Sequence, residues 1–484
     1  MRRRCTFYQI LTIGFWIISA HLTGSALALE ERPTAFIHTN LIPMTSATVL
    51  PDQTVVVEGK QITVVGPSSQ TEIPTNANVI DCRNAFLMPG LSDMHMHLRY
   101  DWMSDVWPVS PLKLYLANGV TTIRCFGPRG KTGRYGLTWR KEIDAGRLVG
   151  PSILTCGPML RGYFKDNPEN IVIRQKYQGF DFIKIYSYVT KDEYHTILST
   201  AKKLNFYTAG HIPFQVGLDG VLAGEMDEIA HIEELLWEFS GLDRQLFFNS
   251  GAEWMAYAIQ NAFHQLEPYL ELDPQDREQK FDDMVAPVVS KLKGRNIPVC
   301  TTLVVDDIIV QKLFEPDHFL RKPEIQYMPN GYRELFVSGK EKHQRQFKGG
   351  EVFAPFKYAL DKKLLTCLKK AGVEVLLSTD AGTGWMGIVP GFSIHDELRI
   401  LVENGFTPYE AIASGTVVAS KIVKRMNGRD DFGTIVPGKR ADLILLQQNP
   451  LEDVANTRKI SGVMAAGRWY DKKAIAEMLD HRVH

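Results

Sequence analysis

Two histidines lie one residue apart at the end of an apolar run, in the segment Gly90-Leu-Ser-Asp-Met-His95-Met-His97. Residues two apart on a β-strand project to the same face, so both imidazoles would be close enough to share one metal ion. Neutral imidazole is a common metal ligand. By itself the pair is equally compatible with two half-buried structural histidines, so the remaining candidate ligands decide between these interpretations.

Four further polar residues lie at or near the ends of short apolar runs. Each has an ordinary structural explanation by itself: an ion-paired lysine, a turn residue, a core histidine or a helix N-cap. Barrel enzymes, however, place their chemistry at the carboxyl ends of parallel strands. Five separate runs that end in such residues therefore indicate one shared metal site. The four residues are Lys184, His211, His231 and Asp380.

The fold that would position these residues is an α/β barrel. Apolar runs rich in Val, Ile, Leu and Thr alternate with longer helical or irregular stretches through the middle of the chain. Buried parallel strands separated by crossovers give this pattern, and eight of them predict a (β/α)8 TIM-like barrel. The eight runs span residues 86–98, 120–126, 152–157, 182–187, 206–212, 228–233, 297–305 and 373–380.

Strand-like segments also flank the predicted barrel, at 35–41, 54–58, 61–65 and 78–81 and again at 433–446 and 460–466. We expect them to pair into a small β-sandwich domain built from both chain ends, residues 29–85 and 431–484. The barrel would then occupy 86–430. Its long insertions, near 235–296 and 306–370, carry helical patterns and are expected to cover the active face.

The first 28 residues have the features of a secretory signal peptide. Three arginines precede an apolar run, and Ser25-Ala-Leu-Ala28 supplies the small residues of a cleavage site. We expect cleavage after Ala28 and export to the periplasm or the extracellular space; a retained membrane anchor is the alternative. No later stretch approaches the roughly 18 apolar residues of a spanning helix, so no stable membrane insertion is expected after signal removal.

The composition is that of a globular protein: the 484 residues are 44% hydrophobic and 23% charged. Lys and Arg number 55, and Asp and Glu also number 55, so no excess positive charge is available to neutralise a phosphate backbone. We therefore expect a small-molecule substrate and no nucleic-acid partner. Association into a homo-oligomer is compatible with the sequence.

Taken together, these motifs resemble the amidohydrolase superfamily, and within it the imidazolonepropionase-like and prolidase-related branch of metal-dependent hydrolases. The resemblance rests on Gly-Leu-Ser-Asp-x-His-x-His at 90–97 and on Ser-Thr-Asp-Ala-Gly at 378–382. It extends through Gly-Thr-Ile-Val-Pro-Gly-Lys-Arg-Ala-Asp-Leu at 433–443 and so covers nearly the whole chain after the signal peptide.

The resemblance implies two divalent metal ions, with zinc as the expected metal. His95 and His97 would bind the more buried ion together with Asp380. The second ion would be held by a further pair of histidines, His211 and His231. Lys184 would be carboxylated by carbon dioxide, because the resulting carbamate is an anionic oxygen ligand able to bridge both ions.

The implied activity is hydrolysis of a carbon–nitrogen bond, in an amide or a dipeptide, by a hydroxide that bridges the two metals. Asp380 would be the catalytic residue, passing the proton of the hydroxide to the departing nitrogen. Relatives carry His-Ala-His or His-Ala-Tyr on the fifth strand and use the second side chain to bind substrate. This chain has His211-Ile-Pro-Phe instead, so that contact does not carry over and the substrate-binding residues are not assigned.

Three alternatives stay open. A lactone or phosphotriester hydrolase would use the same metal-bound hydroxide. A mononuclear deaminase on the same barrel would pair the fifth-strand histidine with a nearby acid, but no acid occurs in the four residues after His211. The non-catalytic alternative is an exported binding protein on a retired hydrolase barrel.

Overall fold

The computed structural model describes residues 32–128, 133–248, 251–346, 350–383 and 386–480. The predicted signal peptide, residues 1–28, lies outside the described residues. Within these ranges, no helix is both long enough and apolar enough to cross a membrane.

Strands occur along the whole described part of the chain, from Thr34 to Asp471. In chain order they are β1 (Thr34–Leu41), β2 (Leu50–Glu58), β3 (Gln61–Pro67), β4 (Asn78–Asp81), β5 (Phe86–Pro89), β6 (Leu91–Met96), β7 (Val120–Cys125), β8 (Ser152–Thr155), β9 (Ile183–Ile185), β10 (Thr208–Gly210), β11 (Glu228–Ile229), β12 (Val299–Cys300), β13 (Val375–Leu376), β14 (Leu443–Leu446), β15 (Ile460–Ala465) and β16 (Arg468–Asp471).

Helices connect the central strands and fill both predicted insertions. They are α1 (Pro111–Ala117), α2 (Tyr135–Asp144), α3 (Pro168–Tyr177), α4 (Lys191–Lys203), α5 (Gly217–Ala223), α6 (Gly251–Leu266), α7 (Pro274–Leu292), α8 (Val304–Phe314), α9 (Pro316–Leu320), α10 (Tyr332–Gln346), α11 (Gly350–Lys370), α12 (Ser393–Glu403), α13 (Pro408–Ser414), α14 (Val417–Asn427) and α15 (Lys472–Leu479).

Strands from both chain ends form one mixed sheet, in the order β16-β15-β14-β5-β1-β2-β3 with β4 beside β1. The joining contact is antiparallel pairing of β14 with β5, in which Leu445 faces Leu87. Both leucines are buried, together with Phe36 and Val55 of the amino-terminal strands. The structure therefore pairs the two chain ends as expected, although it records a single sheet and not the two facing layers of a sandwich.

The central strands form two parallel sheets, β6-β7-β8 and β9-β10-β11-β12-β13. Each of the eight predicted runs contains one of these strands, and the first run also contains β5. The α/β class is thus confirmed. The described strands divide into sheets of three and five, however, and are not recorded as one closed barrel sheet.

Single bridges join the two parallel sheets at both ends. Met96 bridges Ala381, and Leu160 bridges Ile185. Asp380, next to the bridge at Ala381, has a φ of +58°, which is outside the extended conformation. The carboxyl ends of all these strands nevertheless face one side, where the predicted ligands lie.

The two insertions contact each other over that side of the sheets. Phe281 of α7 and Phe356 of α11 pack edge to face, with ring centroids 5.1 Å apart. The buried ammonium of Lys357 on α11 binds Glu233, just after β11, at 3.0 Å and Asp306 of α8 at 2.8 Å. The helical insertions are therefore fixed to the loops that follow β11 and β12.

Candidate metal centre

His95 on β6 and His97 just after it meet Asp380 from the segment after β13. The His95 and His97 Nε2 atoms lie 3.6 and 3.0 Å from Asp380 Oδ1. One ligand atom from each residue lies within 4.8 Å of the other two. The alternation of the strand thus brings both imidazoles to one carboxylate, as the sequence predicted. These three residues can hold a metal ion.

The His95 ring is fully buried and stacks on Phe126, with centroids 3.9 Å apart and planes 13° from parallel. Neither ring nitrogen has a hydrogen-bond partner among the described residues. Burial lowers the pKa of His95 well below its usual range, and the neighbouring His231 and Lys184 lower it further. The ring is therefore neutral, which is the form that binds metals.

The His97 ring is oriented by a hydrogen bond on its far side. Its Nδ1 donates to the Gly127 carbonyl over 2.8 Å. The donor atom must carry the proton, so Nε2 is left with a lone pair facing Asp380. This is the usual way in which a protein fixes the tautomer of a histidine ligand.

His211 and His231 continue the group of imidazoles across the site. The ring centroid of His231 lies 4.3 Å from that of His95 and 4.9 Å from that of His211. Burial lowers the pKa of both His211 and His231 well below the usual range, and the charge of Lys184 lowers it further. Both rings are therefore neutral and chemically suited to a second cation.

Each of these two rings is held through Nδ1. His231 Nδ1 lies 2.9 Å from Thr302 Oγ1, and His211 Nδ1 contacts the Glu234 carboxylate. The same carboxylate accepts the Ile212 N–H over 3.0 Å. Nε2 of each ring is thus the nitrogen that is available to bind a metal ion.

Lys184 on β9 lies beneath these rings, with 1% of its surface exposed. Its Nζ has no hydrogen-bond acceptor among the residues that the structure describes, and it lies 4.8 Å from the centroid of the Phe126 ring. Burial lowers the pKa of Lys184 to about 8. A lysine in this position is partly neutral near pH 8 and can react as an amine.

Asp93 joins β6 to the segment that carries Asp380. Its carboxylate accepts the N–H groups of His95 at 3.3 Å and Thr379 at 3.1 Å, and the hydroxyls of Thr379 at 2.5 Å and Tyr115 at 3.2 Å. Burial raises the pKa of Asp93 to about 7. Sequence reasoning assigned this aspartate no role, although an acid inside an apolar run was itself a signal.

Three residues at the site have left-handed backbone conformations: Asp380 at φ +58°, His231 at φ +72° and Thr302 at φ +50°. Such values are uncommon for residues with a Cβ and are maintained only where surrounding contacts require them. Glu397 of α12 provides some of these contacts. It accepts the N–H groups of Leu303 at 3.1 Å and Val304 at 2.6 Å, which holds the turn at Thr302.

The structure therefore brings all six predicted residues to one side of the parallel sheets. Their roles as ligands stay predictions. Sequence reasoning missed the residues that orient them: Asp93, Glu234, Thr302 and Glu397. Glu234 lies three residues after His231 in the sequence. Its contact with His211 could not be predicted from the sequence, because it depends on the pairing of β10 with β11.

Residues 362–470 match the model of the Amidohydrolase family. Comparison with curated protein sequences finds no match.

Solved structures of prolidase and amidohydrolase type share the fold. A prolidase-type protein from Bifidobacterium longum is 22% identical, with a TM-score of 0.61 over 94% of this chain and 99% of that one. Bottromycin amidohydrolase is 19% identical, with a TM-score of 0.64 over 93% of this chain and 90% of that one. A Xaa-Pro dipeptidase is 20% identical, with a TM-score of 0.58 over 91% of this chain and 100% of that one.

The family match supports the resemblance to the amidohydrolase superfamily over residues 362–470, and the solved structures show that the fold is shared. The family match supports a hydrolase that acts on carbon–nitrogen bonds.

We predict that Glu234→Gln weakens metal binding about 10- to 100-fold, because the amide replaces the carboxyl group that holds His211 through Nδ1. Competition with a chromophoric chelator measures the affinity. Glu225→Gln, at an exposed Lys202 pair, is the matched control and should leave it unchanged. Equal affinities in both variants and the unmodified chain would show that Glu234 does not support a metal ligand.

Proposed function

We propose that this chain is a metal-dependent amidohydrolase that cleaves the amide bond of a small substrate. The observation that carries the proposal is the fully buried His95. Its ring nitrogens lack hydrogen-bond partners among the described residues, while the imidazoles of His97 and His231 and the carboxylate of Asp380 lie beside it. A structural core would leave such groups apolar or hydrogen-bonded. A cation site, in contrast, requires imidazole nitrogens whose lone pairs are not used by hydrogen bonds.

The donor set fits two divalent ions. His95, His97 and Asp380 would hold the first, and His211 and His231 the second, with Lys184 between them as a carbamate. Mixed nitrogen and oxygen donors suit zinc. The lowered pKa of Lys184 supports the carbamate, because only the unprotonated amine reacts with carbon dioxide. Bound ions would supply an activated water and a polarised substrate carbonyl.

Asp380 is placed to move the proton that amide hydrolysis requires. Its side chain is 14% exposed, whereas His95 beside it is fully buried, so this carboxylate borders the open side of the site. We propose that it takes a proton from the attacking water and delivers it to the departing nitrogen, because an unprotonated amine anion leaves poorly. Lactone and phosphotriester hydrolysis need no such delivery, which favours an amide.

The structure offers less support for the mononuclear deaminase. Glu234 is the acid that contacts His211, but it does so at Nδ1. The other ring nitrogen, Nε2, is the one available to bind a metal ion. Glu234 is therefore a positioning residue. Lys184, buried among the imidazoles, also favours a pair of ions, because a single ion would need no bridging ligand.

The neighbouring structures support the substrate class, since they are described as a prolidase, a Xaa-Pro dipeptidase and an amidohydrolase. We propose dipeptides or N-acyl amino acids as substrates, and export through the amino-terminal signal as the location. A library of both compound types, with lactones and phosphotriesters as comparison, tests the assignment. Turnover confined to lactones or phosphotriesters would contradict it.

We predict that Asp380→Asn lowers kcat for the best amide substrate by about 10²- to 10⁴-fold, because the amide group cannot carry the proton. Steady-state kinetics, with metal content measured in parallel, separates lost proton transfer from lost metal. Asp396→Asn, at a surface pair with Arg458, is the control. Near-normal hydrolysis by Asp380→Asn would contradict the assigned role.

We predict that Lys184→Ala loses metal at one or both positions and regains part of it, with activity, when short carboxylic acids are added. The added carboxylate would replace the missing bridging oxygens. Metal content by mass spectrometry is the measurement, and Lys202→Ala on the exposed face of α4 is the control. Full metal occupancy in Lys184→Ala without added acid would count against the carbamate.

A further inference from the structure

Lys357 on α11 connects the second insertion to two loops of the candidate metal centre. Its side chain is buried, and its Nζ lies 3.0 Å from Glu233 Oε2 and 2.8 Å from Asp306 Oδ1. A third carboxylate, Asp361 one turn further along α11, approaches the same Nζ to 2.7 Å. Glu233 belongs to the segment after β11, and Asp306 belongs to the segment after β12. The ammonium therefore joins α11 to both segments at once.

These two segments carry His231 and the residue that orients it. Glu233 lies two residues after His231, and Asp306 lies four residues after Thr302. The segments meet where His231 Nδ1 lies 2.9 Å from Thr302 Oγ1. Lys357 thus holds together, from the side of the insertion, the same two segments that this contact joins at the metal centre.

The backbone at His231 and at Thr302 needs support from its surroundings. Both residues have left-handed conformations, at φ +72° and +50°, which residues with a Cβ keep only where other contacts hold them. Glu397 holds the turn at Thr302 through the N–H groups at the start of α8. Lys357 adds a contact that spans both segments.

The ammonium of Lys357 is charged in spite of its burial. Burial by itself would lower its pKa, but the surrounding carboxylates outweigh burial and raise the pKa of Lys357 well above its usual range. Hydrogen bonds between charged groups are roughly twice as strong as neutral ones, and a buried environment strengthens them further. The two segments are therefore held by a strong contact, unlike the weak contact of an exposed salt bridge.

We infer that Lys357 is a positioning residue for the second metal ion, because it holds the segments that set the geometry of His231. This inference rests on the proposed function, which assigns His211 and His231 to that ion. The first ion would depend on Asp93 instead, which joins β6 to the segment after β13. The second insertion is then part of the metal centre as well as a cover over it.

The test is calorimetric titration of the metal-free chain with zinc, with zinc content after dialysis measured in parallel. We expect the unmodified chain to bind two ions. Lys357→Met should weaken one of them about 10- to 100-fold, the usual effect of losing a group that orients a ligand, and leave the other unchanged.

Lys363→Met is the matched control. Lys363 lies six residues further along α11 and also joins two acids, but these are Glu278 and Asp282 of α7, in the other insertion. Its loss removes a contact between the insertions and leaves the segments after β11 and β12 as they are. Lys363→Met should therefore bind both ions with the affinity of the unmodified chain.

A double-mutant cycle identifies the ion that Lys357→Met weakens. In His231→Ala we expect only the first ion to bind tightly, and adding Lys357→Met should not change its affinity. A further loss of affinity for this remaining ion would show that Lys357 acts on the whole fold, and that result would overturn the inference.

Lys357→Met also leaves three carboxylates without their cation, so a second variant adds Asp306→Asn and Asp361→Asn to remove two of these charges. We expect this variant to fold and still to bind the second ion weakly, because nothing replaces the link between the segments. It also carries the test if Lys357→Met alone does not fold. Affinity equal to that of the unmodified chain would overturn the inference, since the loss would then come from unpaired charge.

The zinc titration separates failure of this inference from failure of the proposed function. If the unmodified chain binds two ions and Lys357→Met behaves as Lys363→Met does, the role of Lys357 is wrong and the proposed function stands. If the unmodified chain binds fewer than two ions, the proposed pair of ions is wrong, and the inference is wrong with it.

Discussion

The structure depends on the burial of polar groups that the protein itself does not satisfy. His95 and Lys184 are buried without hydrogen-bond partners among the described residues. An unsatisfied buried polar group costs about 1–3 kcal/mol, so a chain without a ligand here would be more stable with apolar residues. A bound cation would remove that cost for the imidazole, and carboxylation followed by metal binding would remove it for the lysine.

The surrounding residues make sense as supports for that arrangement. Asp93 joins the backbone of His95 to Thr379, next to Asp380. Glu397 holds the turn that brings Thr302 to His231. These contacts maintain left-handed backbone conformations, and so they set the positions of the candidate ligands.

Much of the fold and all six candidate ligands were accessible from the sequence, because buried parallel strands are continuously apolar and ligands stand out at their ends. The division of the first run into β5 and β6 could not be predicted. It depends on the pairing of β5 with β14 and of β6 with β7, which involve distant chain segments. The same holds for the fully buried pair of Arg124 and Glu228, 2.8 Å apart between β7 and β11. The sequence pattern around Arg124 or Glu228 does not indicate that the other residue is its partner.

Anomalous X-ray diffraction from crystals of the zinc-loaded chain tests the central claim most directly, because it locates each ion among its ligands. The account predicts two peaks per chain, one at His95, His97 and Asp380 and one at His211 and His231, with density for a carbamate on Lys184. A single peak, or peaks only at surface residues, would contradict it.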